Sequence, residues 1–319
     1  MAEFKHGFAH SNGIKMHYVE QGSGPLVVLC HGWPESWYSW RHQIPALAAA
    51  GFRVVAPDQR GYGQTDAPGP VDAYHILNLV GDIVGLVNAL GADKAVIVGH
   101  DWGAMVAAHC ALLRTDMFRA LALLSVPYMP RGPVRPAVLF KMITKDKNFY
   151  QDYFQEPGKV EAELERDVRK SMLGLLYSAS GDPPPEKRWQ FLFDKDKRLI
   201  DTITVPDKLP AWLSEEDLNF FTNEFKRAGF RGGINWYRNI DRDWELTPFL
   251  DGAKITQPTM FATGDRDVVL EMAADAYKSL EVNVPHLTKK YLIPGAGHWI
   301  QQERPKEVND LLIEFLKER

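Results

Sequence analysis

Two kinds of apolar pattern alternate along the chain, and their order predicts a layered α/β protein. Leu26–Cys30, Arg53–Ala56, Lys94–Val98 and Ala120–Leu124 are short runs in which aliphatic residues follow one another without regular polar alternation. A strand covered on both faces reads this way, so these four predict buried parallel strands. Phe4–His10 and Lys15–Glu20 flank Asn12-Gly13 and predict an opening hairpin. Tyr74–Leu90 spaces its apolar residues as a helix does and meets Gly91, a natural stop. Past Pro127 the character changes. Residues 129–246 are helical, aromatic and broken by prolines such as Pro183-Pro184-Pro185, and Ser214-Glu215-Glu216-Asp217 opens a helix that Gly229 closes. Strand patterns return at Thr259–Ala262 and Lys290–Ile293, and an amphipathic helix runs from Pro305 to Lys317. The chain therefore predicts one discontinuous core, residues 1–128 and 247–319, with a helical cap of residues 129–246 inserted after the fourth parallel strand.

Composition narrows the function classes. The 319 residues carry 37 Lys+Arg against 41 Asp+Glu, a formal charge of -4, with no basic run. This argues against nucleic acid or an anionic membrane as the main partner. Cys30 and Cys110 lie in apolar contexts and read as two buried thiols, so no disulfide framework organises the chain. Residues 1–6 lack a charged-then-apolar leader pattern, and no apolar stretch approaches the ~20 residues of a membrane span. A cytoplasmic location is the expectation.

The candidate chemistry centres on Gly99-His100-Asp101-Trp102-Gly103, between the apolar runs Ala95–Val98 and Ala104–Ala108. Strand, tight turn and helix with glycines two places before and after the central residue form a nucleophile elbow, which lifts one side chain clear of the sheet. Serine usually stands there. Asp101 stands here, and a carboxylate is a competent nucleophile toward a strained or halogen-bearing sp³ carbon, which it converts to an alkyl-enzyme ester. Hydrolysing that ester requires a base and a second carboxylate to orient it. His298, in Pro294-Gly295-Ala296-Gly297-His298 directly after a strand, is the candidate base. Thr263-Gly264-Asp265-Arg266-Asp267 ends the preceding strand. Asp267 is the preferred acid because Gly-x-x-Asp leaves room to turn across the sheet top, while Asp265 is free to cap the turn or pair with Arg266. Backbone donors for an oxyanion are expected at Trp102, behind the elbow, and at Trp33 in His31-Gly32-Trp33-Pro34. Nothing in the sequence matches a metal or phosphate-binding motif, and the expected chemistry needs neither metal nor organic cofactor.

Together with His31-Gly32-Trp33-Pro34-Glu35-Ser36-Trp37 and Asp58-Gln59-Arg60-Gly61-Tyr62-Gly63, these motifs resemble the soluble epoxide hydrolases of the α/β-hydrolase superfamily across essentially the whole chain. The resemblance implies an α/β-hydrolase fold, a mostly parallel sheet flanked by helices with an inserted helical cap. It implies the hydrolase domain alone, without the N-terminal phosphatase domain of vertebrate members. It also implies two cap tyrosines that donate to the epoxide oxygen. On flanking residues these are Tyr153, in Tyr153-Phe154-Gln155-Glu156-Pro157-Gly158, and Tyr237, in Asn235-Trp236-Tyr237-Arg238-Asn239, with Tyr150 the alternative for the first role. Trp33, Trp37, Trp102, Phe154 and Trp236 are expected to line an apolar pocket suited to a small hydrophobic epoxide, and dimerisation through the cap is an assembly the family offers. Haloalkane dehalogenases share the aspartate elbow and are the main alternative, against which the paired tyrosines weigh. Fluoroacetate dehalogenases place Arg where Trp102 stands, and a non-catalytic receptor of this fold is expected to show a broken triad.

Overall fold

The computed structural model describes residues 4–319. Its strands are β1 (Lys5–Ser11), β2 (Ile14–Gln21), β3 (Leu26–Cys30), β4 (Arg53–Pro57), β5 (Ala95–His100), β6 (Phe118–Leu124), β7 (Lys147–Phe149), β8 (Leu192–Asp194), β9 (Thr259–Gly264) and β10 (Leu287–Ile293). Eight of them make one sheet in the order β1-β2-β4-β3-β5-β6-β9-β10. The β1–β2 and β2–β4 pairings are antiparallel, and every pairing from β4 to β10 is parallel. Asn12 and Gly13, with φ of 48° and 79°, turn the first hairpin as their two-residue spacing predicts.

The unalternating apolar runs have the expected cause. Along β3, Val28 and Cys30 pack on one side of the sheet and Val27 and Leu29 on the other. One side is covered by the helices Ile76–Ala89 and Trp102–Leu113 through residues such as Ile83, Leu86 and Val106. The other is covered by Gln43–Ala49 and Pro305–Lys317 through Ile44, Leu47, Leu312 and Phe315. Cys30 and Cys110 are buried and free.

Between β6 and β9 the sheet is interrupted by helices, among them Pro136–Ile143, Tyr150–Tyr153, Val168–Ala179, Glu215–Ala228 and Arg231–Arg238. The Ser214–Asp217 capping box forms in both directions, and Gly229 ends that helix at φ 71°. Two details differ from the pattern reading. Residues 129–246 also contain a small two-stranded antiparallel sheet, β7 with β8. The helix expected from Tyr74 begins at Ile76, because His75 is extended at ψ 156° and ends a preceding 3₁₀ turn, Val71–Tyr74. Among the described residues, no helix is long and apolar enough to cross a membrane.

Candidate active site

The tip of β5 turns directly into the helix Trp102–Leu113, and the turn residue is Asp101 at φ 53°, ψ −122°. Such a backbone costs a non-glycine residue on the order of 1–3 kcal/mol and persists only where the surroundings enforce it. Three glycines let the surroundings close in. A Cβ on Gly103 would stand 2.0 Å from the Cys30 carbonyl oxygen, and one on Gly99 2.1 Å from the Gly103 carbonyl oxygen. A Cβ on Gly32 would meet Asp101 Cβ at 2.3 Å, so the β3 loop lies against the elbow side chain itself.

That loop supplies a donor. The Trp33 N–H donates to Asp101 Oδ1 at 2.8 Å, beside a cis Trp33–Pro34 bond. The Trp102 N–H opens the helix that follows, where first-turn amides have no intrahelical acceptor. The other carboxylate oxygen of Asp101, Oδ2, is 3.4 Å from His298 Nε2. His298 Nδ1 lies 3.1 and 3.2 Å from the two oxygens of Asp267. Asp267 is itself held by Thr263 Oγ1 at 2.9 Å and by the Val269 N–H at 2.8 Å. Asp265 turns away and caps the His298 loop by accepting from the Gly295 N–H at 2.7 Å. Burial opposes charge on His298, yet the carboxylates of Asp267 and Asp101 outweigh it and raise its pKa well above the ordinary imidazole value.

A cavity of about 160 Å³ opens over Asp101, walled by Trp102, Met105, Val126, Tyr150, Tyr237 and Ile240 among others. A second chamber of about 180 Å³ shares Trp102, Met105, Met129 and Ile240 with it and reaches to Asp243 and Arg131. The Tyr237 ring stands edge-on to Trp102 at 5.1 Å and to Trp33 at 5.8 Å, and Tyr150 lies 5.9 Å from it. Burial, reinforced by the Asp101 charge, pushes both phenols upward, so both stay protonated donors. Gln155 Nε2 donates to the Tyr237 carbonyl at 2.9 Å. Arg238 Nε donates to the Phe154 carbonyl at 3.0 Å, which ties the two tyrosine-bearing segments together, and its guanidinium pairs with Glu161 at 2.7 Å, nearly inaccessible to solvent.

Four expected positions need correction. Tyr153 does not reach the cavity. Its hydroxyl donates to Glu163, its ring packs on Phe193 at 5.4 Å, and the Lys159 ammonium lies over its face at 4.3 Å. Three residues on a helix differ by about 300°, so the two side chains diverge by about 60° and sit a turn apart. Tyr150 is the one that faces Asp101. Trp37 packs on the opposite side of the sheet, against Phe4, Tyr38 and Phe220. Phe154 is fully buried behind the cavity wall, edge-on to Trp33 and Tyr237. Trp236 lies beneath Trp102 at 5.9 Å and spends its indole N–H on the Arg60 carbonyl at 3.1 Å.

A buried network behind the elbow carried no assigned role in the sequence reading. Glu35 Oε2 accepts from the Gly32 N–H at 2.9 Å and pairs with His100 Nδ1 at 2.7 Å. His100 Nε2 lies 2.8 Å from the His298 carbonyl. Burial disfavours the Glu35 charge, but His100 and the Gly32 amide outweigh it and hold the carboxyl down to about 2. The signal was present in the motif residues themselves, Glu35 after Trp33-Pro34 and His100 before Asp101. Among the described residues, no cluster of His, Cys, Asp or Glu is gathered to hold a metal ion.

An elbow between strand and helix, with an acid and a histidine arriving from later strands of a mostly parallel sheet, defines an α/β hydrolase. The α/β-hydrolase fold family matches residues 25–305. Epoxide hydrolase A of Mycobacterium tuberculosis is 45% identical over 96% of this chain and 95% of its own, and epoxide hydrolase 2 of Siraitia grosvenorii is 40% identical over 99% of each. The structure of an epoxide hydrolase from an endophytic Streptomyces superposes with a TM-score of 0.96 at 48% identity, covering 99% of this chain and 96% of that one. The chain belongs to the epoxide hydrolase family.

Proposed function

We propose that the protein adds water to hydrophobic epoxides through a covalent ester on Asp101. The observation that carries this reading is the division of labour around one carboxylate. Oδ1 is held by the Trp33 N–H while Oδ2 lies 3.4 Å from His298 Nε2, and the residue lines a cavity that two protonated phenols share. In the first step Oδ2 attacks an oxirane carbon, the ring C–O bond breaks, and the nascent alkoxide takes a proton from Tyr150 or Tyr237. No proton has to leave Asp101, so the carboxylate is reactive as it stands.

Esterification removes the Asp101 charge, one of the two carboxylates that hold His298 protonated. The imidazole pKa therefore falls when a base is needed. Neutral His298 takes a proton from water, hydroxide adds to Asp101 Cγ, and the charge develops on Oδ1 between the Trp33 and Trp102 amides. Collapse breaks the Cγ–Oδ2 bond and His298 protonates the departing diol. The carboxylic acid left behind gives up its proton and the tyrosinate regains one. Asp267 orients the imidazole and stabilises its charged form. In this reading residues 129–246 are a cap, bringing the phenols to a nucleophile that belongs to the core.

The test is a single turnover of styrene oxide in ¹⁸O water. The first diol should carry enzyme-derived ¹⁶O, with the label appearing in Asp101. Solvent label in the first diol would remove Asp101 from the covalent role. His298→Gln should form a protein adduct of one substrate mass and stall there. Faster bromide release from a 1-bromoalkane than turnover of any epoxide in a panel would replace this reading with dehalogenation.

A further inference from the structure

Glu303 is buried outside the catalytic cavity, and its carboxylate collects three backbone donors. Oε2 accepts from the N–H of Gly181 at 2.8 Å and of Gly297 at 2.9 Å, and Oε1 accepts from the N–H of Trp299 at 3.0 Å. Gly297 and Trp299 flank His298, whereas Gly181 belongs to the segment between β6 and β9. The same seam holds further bonds. The His298 N–H donates to the Ala179 carbonyl at 2.8 Å and the Trp299 indole to the Leu176 carbonyl at 2.7 Å. A Cβ on Gly297 would stand 2.2 Å from the Ser180 carbonyl carbon, so the two loops are in backbone contact. The His298 carbonyl, by contrast, is fixed from the core, by Ser125 Oγ at 2.7 Å and by His100.

We propose that Glu303 is a positioning residue for the second half of the reaction, clamping the main chain on both sides of His298 against the inserted segment so that Nε2 keeps its place over the Asp101 ester. The proposal rests on the Asp101–His298 reading above. Three converging N–H groups suit an anion, because a protonated carboxyl would turn its own donor toward other donors. Burial opposes that anion and raises the carboxyl to about 7, with the three amides lowering it and Asp182 raising it further. The surrounding cations are turned elsewhere: Arg304 to the carbonyls of Glu303 and Gly295, Arg266 to the carbonyl of Gly181. Asp265 is spent on the Gly295 N–H, and His298 directs its ring to Asp101 and Asp267. No ion pair is made by the Glu303 carboxylate among the described residues. The clamp should therefore tighten as pH rises through neutrality and loosen below it.

Glu303→Gln keeps the shape but offers one acceptor oxygen and presents an amide donor to an N–H. With styrene oxide followed by stopped-flow tryptophan fluorescence and intact-mass spectrometry, ester formation should stay within about threefold of wild type. Ester hydrolysis should slow by about tenfold or more, so that the adduct accumulates. The rise of the hydrolysis step between about pH 6 and 8 should also flatten, since the titrating carboxyl is gone. Equal slowing of both steps, or slowing of neither, overturns the proposal. If the variant does not fold, Asp182→Asn takes its place. Removing that exposed charge should move the acid limb of ester hydrolysis to lower pH with formation unchanged, and an unmoved limb overturns the proposal. A wild-type enzyme that forms no adduct at any time would instead locate the failure in the Asp101 reading.

Discussion

At the scale of single residues, the difference between Tyr150 and Tyr153 is the sharpest test of the site. Removing one of two hydrogen bonds to a developing alkoxide costs on the order of 2–4 kcal/mol, or ~10²-fold or more in rate. Tyr150→Phe and Tyr237→Phe should each slow ester formation by about that factor, and the double variant should be nearly inactive on epoxides. Tyr153→Phe should leave the rate within about threefold, because its hydroxyl is engaged with Glu163 away from the cavity. Burst kinetics on the four proteins decide the matter: a Tyr153→Phe loss as large as that of Tyr150→Phe would return the role to Tyr153.

At the scale of elements, the elbow depends on missing side chains as much as on present ones. Gly103 sits in the first turn of the helix Trp102–Leu113 with the Cys30 carbonyl oxygen 2.0 Å from where a Cβ would be. The obstruction is backbone at the centre of the sheet, so it cannot swing aside as a side chain could. Gly103→Ala should separate β3 from the helix, lower the thermal midpoint by several degrees and abolish the burst of ester formation. Gly252→Ala is a control of the opposite kind. Its φ of 68° adds local strain, but nothing lies within 4 Å of the added methyl, so activity should persist. Calorimetry with burst amplitudes distinguishes the two, and a fully active Gly103→Ala enzyme would contradict the steric account.

At the scale of the whole molecule, a carboxylate joins the inserted segment to the core. Asp243 accepts from the Ile76 N–H at 2.6 Å and so caps the core helix Ile76–Ala89 from outside it. Burial raises this carboxyl from its ordinary value to about 7, and only the one amide opposes the rise. A raised acid favours the folded state while protonated. That contribution is full below about pH 4, the unfolded value, and is lost as pH climbs to about 7, where the buried charge must form. Asp243→Asn keeps an acceptor for Ile76 and never ionises. Its stability relative to wild type should therefore improve by a few kcal/mol between about pH 4 and 8, at most the order that the shift implies. Chemical denaturation at several pH values measures this. A stability difference independent of pH would show that the Asp243 carboxyl keeps the same pKa folded and unfolded.

Much was legible in the sequence because it depends on neighbours along the chain. The parallel strands announce themselves because burial on both faces removes polar alternation, as β3 and β5 show. The elbow is legible because Gly99 and Gly103 must be glycine for a β-strand to turn into a helix at Asp101. Ser214–Asp217 and Gly229 mark helix ends because capping is a local hydrogen-bond problem. Positions set by distant segments were not legible. Flanking residues matched Tyr153 as well as they could match Tyr150, and only the packing of Tyr153 on Phe193 and Glu163 within the insert turns it away from Asp101. Trp37 and Phe154 have the composition of a pocket wall, but which side of a sheet or which layer of a wall an aromatic occupies is decided by the elements stacked on it. Glu303 and Glu35 looked like ordinary acids because their partners, the amides of Gly181, Gly297 and Gly32, carry no side-chain signature. The sequence by itself determined the fold, the elbow, and the acid and histidine gathered around it. Tertiary structure alone decided which tyrosine faces Asp101 and what holds His298, since both depend on contacts between segments up to a hundred or more residues apart.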